Sequence, residues 1–328
     1  MTLAPTDFDL VRRLAQERSA LVLDPGKEYL VSSRLATLAA SRGTTLPELF
    51  AALRSRSDPD LATLVVEALT TNETLFFRDG HPFHALRETI LPELLERRGG
   101  RGVTVWSAAC SSGQEPYTVA MIAEEAGVLR DVRILATDLN RAMVDRTRAG
   151  VYSPLEVNRG LPATHLVKYF SRAAGGYLVD ARLRAAVTAR TANLVDDREP
   201  FPQADVVLLR NVLIYFDAAT KMRVLERVRR CLAPDGYLLL GTAETTIGLG
   251  DSWARVPLGK ALGYRPADAS AARPPVAAAV PAPRQTPPAT SGHVPVRFPA
   301  PAPARPAVQA NRPAADISPT PFRFSQPR

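Results

Sequence analysis

Hydrophobic positions recur at helical spacing through the first 70 residues. Leu46, Leu49, Phe50 and Leu53 repeat with a 3.6-residue period behind Thr45 and Glu48, a capping-box pair with Pro47 in the first turn. Asp58 and Pro59 are expected to open a further helix, with Leu61, Leu64, Val65, Ala68 and Leu69 on one face. Residues 1–70 therefore read as a small all-α domain without obvious chemistry of its own. From about residue 84 a helix through Leu86, Ile90, Leu91, Leu94 and Leu95 runs to Gly99, and the β-rich Val103-Thr-Val-Trp106 follows. The pattern then alternates: helix 116–126, strand 132–136, helix 140–149, strand 205–209, helix 218–232, strand 237–241. That alternation predicts an α/β, Rossmann-like, doubly wound domain with a parallel sheet over residues 71–264. The rhythm breaks at 152–190, where Gly175-Gly176 lies between Tyr169-Phe170 and Tyr177-Leu178-Val179, the pattern of a small inserted antiparallel β-subdomain.

Charge changes the picture at one end only. Residues 265–328 hold eight arginines, no lysine and only Asp268 and Asp316 as acids, so this stretch carries +6 of the net +8. The first 264 residues are nearly neutral, which argues against a body built to neutralise nucleic-acid phosphates. The same stretch holds 16 of the 29 prolines and is expected to be a disordered tail, dispensable for catalysis and at most a tether to a partner the sequence does not name. The two cysteines, Cys110 and Cys231, lie far apart with no CxxC spacing, which excludes a disulfide framework and a zinc site. His81 and His84 flank Pro82, which disfavours a helical pair of ligands, and no metal is expected. The chain lacks a signal-peptide pattern and an apolar run long enough to span a bilayer, so the expected location is the cytoplasm, without membrane insertion.

An open parallel sheet binds its ligand beyond the carboxyl ends of its strands. The loop after Trp106, Ser107-Ala-Ala-Cys-Ser-Ser-Gly-Gln-Glu-Pro116, has one glycine where a pyrophosphate loop wants three. Gly113 and its small neighbours read as a loop that approaches a ligand closely. The next strand ends in Asp138, an acceptor for both hydroxyls of a ribose. A ribose without a pyrophosphate points to S-adenosylmethionine.

Several segments carry a resemblance: Thr70-Thr-Asn-Glu-Thr-Leu-Phe-Phe-Arg78, Trp106-Ser-Ala-Ala-Cys-Ser-Ser-Gly-Gln-Glu-Pro-Tyr117, Ala136-Thr-Asp138, Gly150-Val-Tyr152 and Arg210-Asn-Val-Leu-Ile-Tyr-Phe216. In this order they resemble the CheR family of chemotaxis receptor methyltransferases, from about residue 7 to 264. The resemblance implies an S-adenosylmethionine-dependent protein-glutamate O-methyltransferase that forms methyl esters on the cytoplasmic signalling helices of chemoreceptors and releases S-adenosylhomocysteine. It carries cofactor contacts onto Asn72, Thr74, Arg78, Glu115, Asp138, Asn193, Leu194, Arg210 and Asn211. Within that frame Asp138 is expected to clamp the ribose, Asn193 to offer its amide to adenine beside Leu194, and Glu115 to face the cofactor's amino group. Arg78 and Tyr215 are the candidates for orienting the acceptor carboxylate.

The chain also departs from the family. Gly241-Thr-Ala-Glu244 stands where relatives commonly have Gly-His-Ser-Glu, so a role for that His is absent or moved. The helix expected over Tyr29 to Ser41 keeps Arg34 but is Ala-rich where relatives are more basic. The short turn between Phe170 and Leu178 favours an enzyme that reaches receptor helices directly rather than through a C-terminal receptor peptide. Rival readings are a methyltransferase of the same fold for another carboxylate, and a cofactor-binding sensor or scaffold without turnover. A nucleic-acid methyltransferase fits less well, because strand 205–209 leads into Arg-Asn-Val-Leu rather than the Asp/Asn-Pro-Pro-aromatic run that grips a flipped base.

Overall fold

The computed structural model describes residues 3–248 and 251–267. Four helices come first: α1 (Pro5–Ser19), α2 (Glu28–Ser41), α3 (Leu46–Ser55) and α4 (Leu61–Leu69). They enclose their own core around Phe8, Val11, Val31, Leu35, Phe50 and Val65. The capping box at α3 is present in both directions: the Thr45 hydroxyl accepts from the Glu48 amide, and the Glu48 carboxylate accepts from the Thr45 amide. The helix expected from Asp58 begins later, at Leu61, because the Asp58 carboxylate accepts from the Asp60 amide at 2.9 Å and holds residues 58–60 in a turn.

The expected helix over 84–99 is interrupted. It runs as α5 (His81–Ala85), one wider π turn over Leu86–Ile90, and α6 (Leu91–Arg98). Pro92 lacks the amide that would bond back to Glu88, and the turn before it widens. The α/β domain follows as β1 (Val103–Ala108), α7 (Gln114–Glu125), β2 (Val132–Asp138), α8 (Arg141–Ala149), β3 (Val151–Tyr152), α9 (Pro154–Val157), α10 (Ala163–Tyr169), β4 (Phe170–Ala173), β5 (Gly176–Val179), α11 (Ala181–Ala186), β6 (Val187–Thr191), β7 (Ala204–Leu209), α12 (Ala218–Cys231), β8 (Leu232–Leu240), β9 (Trp253–Leu258) and β10 (Ala261–Pro266).

The central sheet has seven strands in the order β6-β2-β1-β7-β8-β10-β9. The first five are parallel, as the alternation predicts, with helices in every crossover but the one from β6 to β7. The sheet is not parallel throughout: β10 runs antiparallel to both β8 and β9. Two boundaries also move. Residues 187–191 pair in parallel with Ile134–Asp138 of β2, so they belong to the main sheet, and the inserted subdomain ends before them. That subdomain is a three-stranded antiparallel sheet in the order β3-β5-β4. At the other end β10 continues through Pro266, and Arg265 pairs with Glu93 at 2.6 Å, so the domain passes the expected limit at 264. The remainder of the expected tail, from residue 268, lies outside the described residues.

Each face of the sheet packs its own apolar layer. One is built on Leu86, Ile90, Val105, Ile134, Val206 and Leu239; the other on Trp106, Val207, Leu209, Val224, Val228 and Leu238. Both cysteines are free and buried. No helix among the described residues is long and apolar enough to cross a membrane.

Candidate functional site

Because strands β1, β2 and β7 run in parallel, their carboxyl ends release three loops at one edge, which meet the segment after α4. The result is a cavity of about 950 Å³, counted out to its open mouth. Asn72, Thr74, Arg78, Glu115, Asp138, Asn193, Leu194, Arg210, Asn211 and Tyr215 all lie on its wall. These residues span more than 140 positions of the chain and come together only through the crossover topology.

Asp138 ends β2 and is buried. Its two oxygens accept from the Ser111 amide at 2.8 Å and the Asn140 amide at 2.9 Å. Each oxygen retains acceptor capacity, so the carboxylate is aimed and still able to take two hydroxyl donors. Burial pushes its pKa up, opposed by those two amides.

A buried ion cluster forms the opposite wall. Arg210, at the end of β7, donates to Glu115 at 2.8 Å, to Asp79 at 2.8 Å and to the Arg78 carbonyl at 2.6 Å, and its guanidinium lies 5.0 Å from the Phe83 ring. Glu115 also accepts from the Ser107 hydroxyl at 2.7 Å. Burial pushes the Glu115 pKa up, and the charge of Arg210 opposes it. Arg210 thus joins the α7 terminus to the Arg78-Asp79 loop. Glu115, expected to face a ligand amino group, has Arg210 as its charge partner.

Two residues also take parts that the sequence does not show. The Asn193 side chain donates to the Arg18 carbonyl at 2.7 Å and accepts from the Val195 amide at 3.1 Å, so while lying on the cavity wall it also stitches the loop after β6 to α1. Gly113 is not on the cavity wall; at φ +96°, a Cβ there would strike the Thr147 and Tyr152 side chains. The glycine admits packing from α8 and β3, and the surfaces that approach a ligand are Ala109, Cys110 and Ser111. Arg34 also has an unexpected place: it donates to the Leu69 and Thr70 carbonyls and the Thr71 hydroxyl, fastening the strip that leads into Asn72.

The helical domain, which reads as having no chemistry, closes the cavity with Ser19, Leu21 and Thr70, next to Thr71. It is tied down at the same place, where the Val22 amide donates to the Tyr215 carbonyl at 3.0 Å. Arg78 donates to the Glu73 carbonyl at 2.9 Å and is half-buried, as is Tyr215, which ends the tight turn over Leu213–Tyr215. Backbone strain concentrates here. Among the described residues, seven non-glycines have left-handed φ values; five of them, Phe77, Asp79, Ala109, Ser111 and Asn211, lie in the α/β-domain loops that build the cavity, and a sixth, Ala20, sits between the wall residues Ser19 and Leu21.

Known proteins were compared with this chain. Residues 6–70 match the family model described as CheR methyltransferase, all-alpha domain, and residues 72–258 match CheR methyltransferase, SAM binding domain. The chain is 40% identical over 273 residues to chemotaxis protein methyltransferase 1 of Pseudomonas aeruginosa, covering 81% of this chain and 99% of that protein. It is 37% identical over 273 residues to chemotaxis protein methyltransferase Cher2 of Pseudomonas putida, with the same two coverages. The chemotaxis protein methyltransferase of Vibrio anguillarum is 36% identical over 272 residues, 81% of this chain and 98% of its own length.

Proposed function

The chain belongs to the CheR methyltransferase family, and from that premise we propose that it methylates glutamate side chains on the cytoplasmic signalling helices of chemoreceptors, as a cytoplasmic enzyme of chemosensory adaptation. The observation that carries this reading is the convergence of the ten cavity residues, all from the SAM binding domain, around the aimed carboxylate of Asp138, with Ser19, Leu21 and Thr70 of the all-alpha domain closing the same cavity.

The residues present fit S-adenosylmethionine. Asp138 would take the ribose hydroxyls, and Leu194, Val212 and Phe216 offer apolar surface for the adenine. When bound, the cofactor supplies a methyl group on a sulfonium, which is activated without help from an acid. A glutamate acceptor, with an ordinary pKa of about 4.3, is ionised at pH 7 and needs no general base. The work left to the protein is alignment and exclusion of water, for which effective molarities allow up to roughly 7 to 11 kcal/mol. Arg78 and Tyr215, half-buried at the wall, orient the acceptor carboxylate. Arg210 and Glu115 hold each other and thereby hold the Arg78 loop.

The two-residue Ala174–Gly175 connection between β4 and β5 keeps the subdomain small and supports direct recognition of the receptor helices. Incubation with radiolabelled cofactor and receptor-containing membranes is expected to label the receptors with groups released as methanol in base. Label that resists base would overturn the ester assignment, and an absence of label would favour a binding module.

A further inference from the structure

The turn after β8, Gly241-Thr-Ala-Glu244, contributes no residue to the cavity wall, yet Glu244 reaches the loop that does. Its carboxylate accepts three main-chain amides: Asn211 at 2.7 Å, Gly241 at 2.8 Å and Ile214 at 3.3 Å. The Glu244 amide closes its own turn onto the Gly241 carbonyl at 2.9 Å. Gly241 makes this approach possible, because a Cβ there would come within 2.7 Å of both the Asn211 side-chain nitrogen and the Glu244 carboxylate.

Asn211 sits at φ +58°, a left-handed conformation that asparagine tolerates better than most non-glycines, and its amide is held there by Glu244. The same loop then makes the turn over Leu213–Tyr215, and Asn211, Val212, Tyr215 and Phe216 all face the cavity. The loop is therefore pinned from behind by Glu244 at its first half and by Val22 at Tyr215. Nothing else among the described hydrogen bonds holds the Asn211 and Ile214 amides. We infer that Glu244 is a positioning residue for methyl transfer, holding the Asn211–Tyr215 loop so that the Tyr215 hydroxyl faces the acceptor carboxylate.

The inference rests on the reading of Tyr215 given above. Glu244→Gln is the informative variant: one amide oxygen can still accept from Asn211 and Gly241, while its NH2 group faces the Ile214 amide, donor against donor. Fold and cofactor pocket are expected to survive, with affinity for S-adenosylhomocysteine within about threefold of wild type and kcat lowered about tenfold. In a Tyr215→Phe background the same change is expected to lower kcat by less than about twofold, because the hydroxyl it positions is gone. An unchanged kcat in Glu244→Gln overturns the inference, as does an equal loss in both backgrounds or a loss of cofactor affinity that accounts for the whole effect. Tyr215→Phe alone tests the underlying reading. If that variant is slow while Glu244→Gln is not, the inference fails and the reading of Tyr215 stands; if Tyr215→Phe turns over normally, both fall.

Discussion

The two edges of the central sheet solve different problems with similar chemistry. At the amino edge, Arg98 bridges Asp205 at 2.6 Å and Asp235 at 2.8 Å, and Asp205 also accepts from the Thr104 amide, tying α6, β1, β7 and β8 together. The left-handed positions of that edge, residues 99, 100 and 102, are all glycine, so the backbone carries no strain. At the carboxyl edge, Arg210 joins Glu115 and Asp79 in an equally tight cluster, but the left-handed positions around it hold Phe77, Asp79, Ala109, Ser111 and Asn211. The amino edge relieves strain with glycine; the carboxyl edge keeps strain together with side chains that a ligand can use. One arginine cluster serves the fold, and the other serves a surface.

The contrast is broken most severely at Arg210. Its side chain is almost wholly buried, and Arg210→Ala leaves Glu115 as an unpaired buried charge, a loss of about 3 to 5 kcal/mol. Chemical denaturation is expected to show that loss, and calorimetry a weakened cofactor site, because the Arg78 loop is released. A fully stable variant with intact binding would mean that the carboxyl-edge cluster is no more than decoration.

Next in size is Arg78→Ala, expected to lower kcat roughly 100-fold, with a smaller change in S-adenosylhomocysteine affinity. Single-turnover rates and calorimetry on the same preparation separate the two. Abolished cofactor binding would assign Arg78 to the methionyl carboxylate and remove it from the acceptor.

The smallest effect belongs to the amino edge. Arg98 holds the Asp235 carboxyl down from its ordinary 3.8 to about 2. A folded-state pKa below the unfolded one gives stability that is complete above about pH 4 and fades as pH falls towards 2. With a third of the Asp235 side chain exposed, Asp235→Asn is expected to cost only about 1 kcal/mol at pH 7 and to flatten the acid limb of the stability profile. Turnover should not change; a drop in kcat at neutral pH would show that the two edges are coupled.

How much of this was legible follows from which residues carry a local signal. Strands β1 and β7 are almost wholly buried and β2 is interrupted only by the exposed Arg133 and half-buried Leu135, so they read as largely apolar runs, and the parallel core and the carboxyl-edge location of the site could be inferred. β6 buries only Ala189 of its five residues, and β9 carries Arg255 and Pro257, so neither resembled a strand. Asp138, Glu115 and Arg210 stood within long motifs and lie on the cavity wall. Ser19 and Leu21 were missed because they lie at and just past the end of a helix whose periodicity reports only its own core. The stitching contact of Asn193 was not legible because its partner, Arg18, lies 175 residues away, nor was the packing part of Gly113, because its neighbours in space come from α8 and β3. Glu244 was in view as a motif end, but its three amide partners exist only in the folded chain.

The central claim is that the carboxyl-edge cavity, aimed by Asp138, holds the cofactor, while the amino-edge cluster only holds the fold. It is tested most directly by calorimetric titration of S-adenosylhomocysteine into wild type, Asp138→Ala and Asp235→Asn. Loss of a charged acceptor for two hydroxyls, worth roughly 1.5 to 3 kcal/mol, predicts about 10- to 150-fold weaker binding for Asp138→Ala. Asp235→Asn is expected to bind within about twofold of wild type. Unchanged affinity in Asp138→Ala, or an equal loss in both variants, would contradict the account.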